Sequence, residues 1–292
     1  MEKRYYAESE LIINVDGTIF HLHLKPGEVA DTVLLVGDPG RVDMIASYFE
    51  SIEVRAENRE FVSVTGRYKG KRISVVGTGI GTDNIDIVLT ELDSLVNIDY
   101  KTRTLKPERK ALTFVRIGTS GSLQKDLPVD SWLLSEAAIG FDGLLNFYAG
   151  RNDVTDNDFE ATFKETLNWN KQLTSPYVVN ASTELIEKLK NHASINIGTT
   201  ISAPGFYGPQ GRVVRLGLAD PDINEKISAF RYNGRRITNY EMEGSAIAGL
   251  SLLMGHKAMT VCCVIAQRKV EAANTDYKPR IKQLVQTVLE RI

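Results

Sequence analysis

The sequence contains 292 residues, enough for one large domain or two small ones. Apolar residues make up 42% and charged residues 25%, a composition that is typical of globular proteins and excludes a disordered chain. The 35 basic and 37 acidic residues give a net charge of −2. Basic residues are therefore not in excess, and the net charge does not indicate a nucleic acid or a membrane surface as a partner.

Targeting and redox signals are absent from the sequence. No apolar run approaches the roughly 20 residues that span a bilayer, and the first residues lack the apolar core of a signal peptide. We therefore expect a cytoplasmic protein. The two cysteines, Cys262 and Cys263, are adjacent within an apolar run, which excludes a disulfide framework and a zinc ribbon.

Short apolar strands alternate with amphipathic helices along the chain, which predicts an α/β fold. Strands are predicted at residues 33–36, 61–68, 72–76, 114–117, 132–135, 197–201 and 259–265. The second and third of these flank Lys69-Gly70-Lys71 and are predicted to form a hairpin. The spacing of apolar residues predicts helices over residues 42–49, 85–92, 185–189, 242–253 and 281–289. No repeat or linker interrupts this pattern, so we predict one domain over residues 1–292. The polar segment from Lys101 to Lys110 is predicted to be a surface loop.

Three glycine-rich turns follow predicted strands. At residues 37–41, backbone N–H groups and the Arg41 guanidinium meet where a helix begins, which favours an anion. Arg116 lies near the end of a buried strand, where its charge needs a partner or an anion, and a Gly-Thr-Ser-Gly turn follows it. The turn at residues 77–81 lacks dinucleotide-binding spacing, and there is no Walker lysine. We therefore expect free phosphate rather than a nucleotide, although ordinary connecting turns remain the alternative.

Two further segments carry polar groups suited to a sugar and a base. Residues 239–243, Asn-Tyr-Glu-Met-Glu, bring two carboxylates to the start of a helix, where they either complement its dipole or accept hydrogen bonds from sugar hydroxyls. Residues 206–212 combine an aromatic ring with the Gln210 amide and the Arg212 guanidinium. This set matches a pyrimidine with two carbonyls and an N–H. Taken alone, the segment could equally be a surface loop.

Six segments together, in this order and over nearly the whole chain, resemble the nucleoside phosphorylase-I family, and most closely its uridine-cleaving members. They are residues 20–24, 37–41, 58–61, 116–121, 206–212 and 239–243. The resemblance implies a single α/β domain around a mixed, partly closed central sheet flanked by helices. It also implies self-association, as a dimer or a hexamer, with an active site shared between subunits.

The resemblance assigns roles to the positions of this sequence that match the family's motifs. Phosphate would be bound by Gly37, Arg41, Arg116 and Thr119, with Arg59 reaching the phosphate of the neighbouring subunit. Ribose would be bound by Met242 and Glu243, with His21 capping the 5′-hydroxyl of the neighbour's ribose. Uracil would be bound by Phe206, Gln210 and Arg212, with Arg268 supporting the last two. No metal is predicted, because the four histidines lack a ligand pattern and residues 81–84 depart from the family's potassium-site sequence.

The implied reaction uses neither a side-chain nucleophile nor a cofactor. Inorganic phosphate, the co-substrate, would attack the anomeric carbon of uridine through an oxocarbenium-like transition state, releasing uracil and ribose 1-phosphate reversibly. Arg212 and Gln210 would stabilise the negative charge on the departing uracil. Arg116 would orient the phosphate, and Glu243 would hold the ribose hydroxyls.

The choice of base depends on the segment after the last predicted core strand. Purine-specific relatives carry an aspartate there, whereas this chain has no acid before Glu271 and has Arg268 instead. Both features favour a pyrimidine. A purine or broad-specificity nucleoside phosphorylase is the alternative, followed by a nucleosidase and by a non-catalytic nucleoside-binding protein.

Overall fold

Residues 4–292 are described by a computed structural model, and the chain divides into two units. The first contains the residues up to Val115 together with Met254–His256. The second contains Arg116–Leu253 and Lys257–Ile292. No helix within residues 4–292 is both long enough and apolar enough to cross a membrane.

The first unit is built on a four-stranded sheet and two helices. Its elements are β1 (Thr32–Val36), α1 (Pro39–Ala46), β2 (Ser51–Asn58), β3 (Phe61–Tyr68), β4 (Lys71–Gly77), α2 (Thr82–Asn97), β5 (Ile98–Asp99) and β6 (Thr104–Leu105). The strand order is β1-β4-β3-β2, with β1 parallel to β4 and the other pairs antiparallel. The predicted hairpin is confirmed as β3 and β4.

Parallel pairing in the first unit brings two of the glycine-rich turns to one edge of the sheet. Because β1 and β4 run in the same direction, the chain leaves both at their carboxyl ends. A Cβ on Gly37 would lie 3.3 Å from the carbonyl oxygen of Gly79, so the two turns are in close contact. Asp38 caps α1 by accepting a hydrogen bond from the Gly40 N–H at 2.9 Å.

The chain passes from the first unit to the second inside β7 (Thr113–Ser122). The following elements are β8 (Trp132–Gly140), α3 (Arg151–Val154), α4 (Asn157–Thr166), β9 (Tyr177–Asn180), α5 (Thr183–Leu189), β10 (Ile195–Ser202), α6 (Ile223–Ala229), β11 (Arg231–Tyr232), β12 (Arg235–Glu241), α7 (Gly244–Met254), β13 (Lys257–Gln267), β14 (Ala272–Ala273) and α8 (Lys278–Arg291).

Five strands of the second unit form a closed ring of pairings. Their order is β12-β10-β8-β13-β7, and β7 pairs in turn with β12. The pairs β10–β12 and β10–β8 are parallel, whereas β13–β8 and β12–β7 are antiparallel, so the barrel is mixed. Helices pack against these strands, among them α5 on β8 and β13 and α6 on β12. The predicted class, α/β with a mixed and partly closed sheet flanked by helices, is confirmed.

The prediction of a turn at residues 118–121 is wrong, because β7 continues without a break to Ser122. Gly121 and Ser122 pair with Tyr240 and Asn239 of β12, a strand that the sequence analysis did not predict. This partner lies more than a hundred residues away in the sequence, so local residue preferences gave no sign of it. The glycines therefore belong to a strand interior and allow close packing there.

The segment from Lys101 to Lys110 lies mostly at the surface, as predicted. It also contains β6, which pairs with β5 through Ile98 and Leu105. The Lys106 ammonium donates to the Val96 carbonyl at 2.8 Å. The segment is therefore attached to the end of α2 rather than extending freely into solvent.

Gly140 at the end of β8 provides a test of barrel packing. A Cβ at this position would lie 2.2 Å from Cζ of Tyr177, whose buried hydroxyl donates to Asp142 at 2.9 Å and cannot easily move away. We expect Gly140→Ala to lower the free energy of unfolding by about 1–3 kcal/mol through overpacking. Urea denaturation measures this change.

Gly217→Ala is the matched control for this substitution. Nothing lies within 4 Å of a Cβ at Gly217, so its stability should stay the same or rise slightly. Equal stabilities of the two variants would contradict the close contact between β8 and Tyr177.

Candidate active site

Arg116 is buried in the second unit, with 5% of its surface exposed, and three side chains surround its guanidinium. Its Nη1 lies 3.1 Å from Oε2 of Glu241 and donates to the Cys262 thiol sulfur at 3.2 Å. Its Nη2 donates to Oε2 of Glu243. Burial by itself would lower the pKa of Arg116, but the charges of Glu243 and Glu241 raise it above its usual value. The guanidinium is therefore permanently charged.

Glu241 fixes the junction between β12 and α7. Its carboxylate accepts hydrogen bonds from the backbone N–H of Glu243 at 3.0 Å and of Gly244 at 2.9 Å, so it caps the first turn of α7. The Ser202 hydroxyl at the end of β10 donates to the same carboxylate. Glu241 thus holds Glu243 beside Arg116, a role that the sequence analysis did not assign to it.

The hydrogen-bonded network continues behind Glu241. The Ser245 N–H donates to the Ser202 hydroxyl at 2.8 Å, and the Ser245 hydroxyl donates to Asp142 at 3.1 Å. Burial raises the pKa of Asp142 above its ordinary value. Because β8, β10 and β12 are parallel, their carboxyl ends bring these residues to one edge of the barrel.

Gly118 and Thr119 follow Arg116 on β7. A Cβ on Gly118 would lie 2.1 Å from Nη1 of Arg116, so only glycine leaves room for the guanidinium to fold back over its own strand. Thr119 is partly exposed, as is Met242 between the two glutamates. Both are open to contact with a ligand.

A second cluster in the same unit is centred on the buried Gln210. Its side-chain oxygen accepts hydrogen bonds from Nη1 of Arg212 at 2.7 Å and from Nη2 of Arg268 at 3.1 Å. The Arg212 guanidinium also lies over the Phe206 ring, 3.7 Å from its centroid, and donates to the Phe206 carbonyl. With its oxygen taken by the two arginines, Gln210 offers its NH₂ group as a donor to a ligand.

The charge of this second cluster is not balanced by any acid. Within residues 4–292, no carboxylate forms an ion pair with Arg212 or with Arg268, and Nε of Arg268 has no hydrogen-bond partner there. Burial, together with the charge of Arg268, lowers the pKa of Arg212 to about 10. Burial likewise lowers the pKa of Arg268. Both side chains remain protonated at neutral pH, so the cluster attracts negative charge.

His21 and Arg59 lie close together in the first unit. Nδ1 of His21 is 2.6 Å from Oε1 of Glu91 on α2, and the same carboxylate accepts the Leu22 N–H at 2.9 Å. Arg59 has a positive φ of 52° and lies over Phe20, which precedes His21, at 5.9 Å from the ring centroid. The two residues predicted to serve a neighbouring subunit therefore occupy one region of the first unit.

Gly37 and Arg41 also belong to the first unit. Gly37 lies at the close contact between the two turns, and Arg41 is buried within the first turn of α1, with 6% of its surface exposed. The backbone N–H of Arg41 donates to the Asp38 carbonyl at 2.9 Å. The start of α1 is the kind of position that favours an anion.

The structure arranges the predicted residues in separate groups within each unit, and in the first unit Gly37 and Arg41 form one group and His21 and Arg59 another. In the second unit it joins Arg116 to Glu243, and it joins Gln210 to Phe206, Arg212 and Arg268. Glu91 and Cys262 were not among the predicted site residues, and Glu241 was predicted only as one of two carboxylates at the start of a helix. Glu91 had a detectable signal, as an acid on the apolar face of a helix, whereas Cys262 had none.

A cavity of about 430 Å³ lies beside the Gln210 loop in the second unit. It is lined by apolar and amide groups that include Phe141, Trp169, Pro204 and Pro209. None of the predicted site residues lines it. Within residues 4–292, no group of three or more histidine, cysteine or acidic side chains is arranged to hold a metal ion.

A family model described as the phosphorylase superfamily matches residues 31–291. The chain belongs to the phosphorylase superfamily. This match covers both units and every predicted site residue except His21, which precedes it. The predicted enzyme class, a nucleoside phosphorylase and hence a pentosyltransferase, is confirmed.

Three superfamily members illustrate the range of similarity. A uridine phosphorylase of Thermococcus kodakarensis is 31% identical over 87% of this chain and 79% of its own length. A purine nucleoside phosphorylase of the DeoD type from Shewanella frigidimarina is 29% identical over 84% of each chain. The crystal structure of a Trypanosoma brucei nucleoside phosphorylase, described as showing uridine phosphorylase activity, has a TM-score of 0.85 at 30% identity, covering 96% of this chain and 98% of that one.

Proposed function

We propose that this nucleoside phosphorylase cleaves uridine with inorganic phosphate, giving uracil and ribose 1-phosphate, without a bound cofactor. The observation that carries the proposal is the Gln210 cluster, in which two guanidinium groups share one amide oxygen and no carboxylate within residues 4–292 pairs with them. Such a cluster favours a leaving group that becomes negatively charged. None of the described acidic side chains is paired with the cluster in a position to protonate a purine nitrogen.

The leaving group in this reaction is the uracil anion. As the bond between N1 and C1′ breaks, its electron pair moves onto the uracil ring and its carbonyl oxygens. Arg212 and the Gln210 NH₂ donate hydrogen bonds to these oxygens, and the bonds strengthen as the charge develops. The pocket is already charged and ordered before the reaction, so little reorganisation is needed in the transition state.

Phosphate and ribose are assigned to the Arg116 cluster. Arg116 uses Nη1 for Glu241 and Cys262, which leaves Nε–H and one Nη2–H to bind the phosphate oxygens as a fork. Glu243 accepts hydrogen bonds from the ribose hydroxyls while it remains close to Arg116. This arrangement would hold the attacking oxygen close to C1′.

The similar proteins include uridine-cleaving enzymes, which supports the choice of uridine, but they also include purine-cleaving enzymes. The uridine phosphorylase of Thermococcus kodakarensis and the Trypanosoma brucei enzyme with uridine phosphorylase activity share about 30% of their residues with this chain. The DeoD-type purine nucleoside phosphorylases match at nearly the same level. The distinction therefore depends on the residues that contact the base.

The test is the release of base from uridine, thymidine, inosine and adenosine, each with and without phosphate. We expect uracil release from uridine only when phosphate is present. Release from inosine or adenosine would keep the phosphate site and overturn the assignment of Gln210 and Arg212. Release without phosphate would indicate a nucleosidase, and no release from any substrate would indicate a binding protein.

Arg212→Ala tests the role of the guanidinium in stabilising the leaving group. We expect kcat/KM for uridine to fall by about 100-fold or more, because one donor to a developing anion contributes that much. Steady-state kinetics measure the loss. Arg215→Ala removes an exposed arginine from the same loop and should leave the rate unchanged. Near wild-type activity in Arg212→Ala would place the uracil elsewhere.

The clustering of His21 and Arg59 supports an active site completed by a second subunit. If Arg59 serves its neighbour, coexpressed Arg59→Ala and Arg116→Ala chains should regain activity, because one site of each mixed dimer is then intact. The expected recovery is about a quarter of the wild-type activity. Mixed Arg116→Ala and Arg212→Ala chains are the control and should stay inactive, because each site takes both of these residues from the same chain. Equal results for the two mixtures would argue against a shared site.

A further inference from the structure

Some N–H groups of the Arg116 guanidinium contact other side chains, and others have no acceptor among the described residues. A guanidinium has five N–H groups. Two are on Nη1, which lies 3.1 Å from Glu241 and donates to Cys262 at 3.2 Å, and one Nη2–H goes to Glu243. No other residue within 4–292 accepts a hydrogen bond from this guanidinium. The open donors are therefore Nε–H and the second Nη2–H, and we call the part of the group that carries them its open edge.

Cys262 is the neutral member of the three side chains around Arg116. It lies in the middle of β13 and is fully buried. Burial raises the pKa of its thiol to about 11, so the sulfur accepts the Nη1–H as an uncharged group at neutral pH.

The three contacts also differ in direction. Glu241 and Glu243 both belong to the junction of β12 and α7 and attract the guanidinium towards that side. Cys262 contacts the guanidinium from β13, a separate element that does not move with this junction. Loss of this contact removes the restraint from β13, and the planar group can then turn about the Cγ–Cδ and Cδ–Nε bonds, taking its open edge with it.

We propose that Cys262 is a positioning residue for phosphate binding, which holds the Arg116 guanidinium so that its open edge faces the phosphate. The inference rests on the proposed function, in which Arg116 binds phosphate. Cys262 does not touch the substrate and takes no part in bond making or breaking. Its effect is on the orientation of two hydrogen-bond donors.

The test compares Cys262→Ala and Cys262→Ser with Cys263→Ala in steady-state kinetics. Cys263 is the matched control, because it is equally buried and adjacent, but successive side chains of a strand point to opposite faces. We expect Cys262→Ala to raise KM for phosphate about three- to tenfold, the effect of one hydrogen bond of ordinary strength. The KM for uridine and kcat should change less than about twofold.

The serine variant separates positioning from packing. Cys262→Ser retains an acceptor at nearly the same place, so its KM for phosphate should lie closer to the wild-type value than that of Cys262→Ala. In an Arg116→Lys background, Cys262→Ala should raise KM no further, because the guanidinium that it positions is missing. If Cys262→Ala does not fold, Cys262→Val retains the volume without the acceptor and is measured in its place.

Two results would overturn the inference. One is an equal change of KM for phosphate in Cys262→Ala and Cys263→Ala, and the other is an effect of Cys262→Ala on kcat alone. Both require a wild-type enzyme whose uridine cleavage depends on phosphate. A wild-type enzyme that cleaves uridine without phosphate would instead overturn the proposed function, and the same assay shows this directly.

Discussion

A buried positive charge, that of Arg116, governs how the second unit is assembled. Its counter-charges come from Glu241 and Glu243, and its neutral contact comes from Cys262. Three separate parts of the chain must therefore meet: β7, the junction of β12 with α7, and β13. Removing one member of a buried ion pair lowers the free energy of unfolding by about 3–5 kcal/mol. The cluster therefore stabilises the fold as well as forming part of the candidate site.

The two clusters of this unit handle positive charge in opposite ways. At Arg116 the charge is matched by two carboxylates, which keeps the group in place but leaves only one edge for a ligand. At Gln210 two arginines meet with no carboxylate paired to them in the described part of the chain, and burial lowers the pKa of both. The first arrangement suits the positioning of a phosphate that arrives already charged. The second suits a group that gains its charge in the transition state, because donors that no carboxylate neutralises stabilise that charge as it develops.

Much of the fold followed from local patterns, and two of the exceptions share one cause. The hairpin of β3 and β4, the helix α2 and the terminal helix α8 were all predicted from apolar spacing and turn residues. The missed strand β12 and the incorrect turn at residues 118–121 are two aspects of one contact, the pairing of Gly121 and Ser122 with Tyr240 and Asn239. Such a pairing depends on residues distant in the sequence and leaves no periodic signal near either strand.

The amino-acid sequence by itself determined the fold class, the superfamily and the residue types of the candidate site, because periodicity and motif order are local properties. Only the tertiary structure decided the partners: Glu91 for His21, Cys262 and Glu241 for Arg116, and one shared amide oxygen for Arg212 and Arg268. The physical reason is that the orientation of a guanidinium or an imidazole is set by the atoms packed around it. Except for Gln210 beside Arg212, these atoms come from segments about 60 to 150 residues apart.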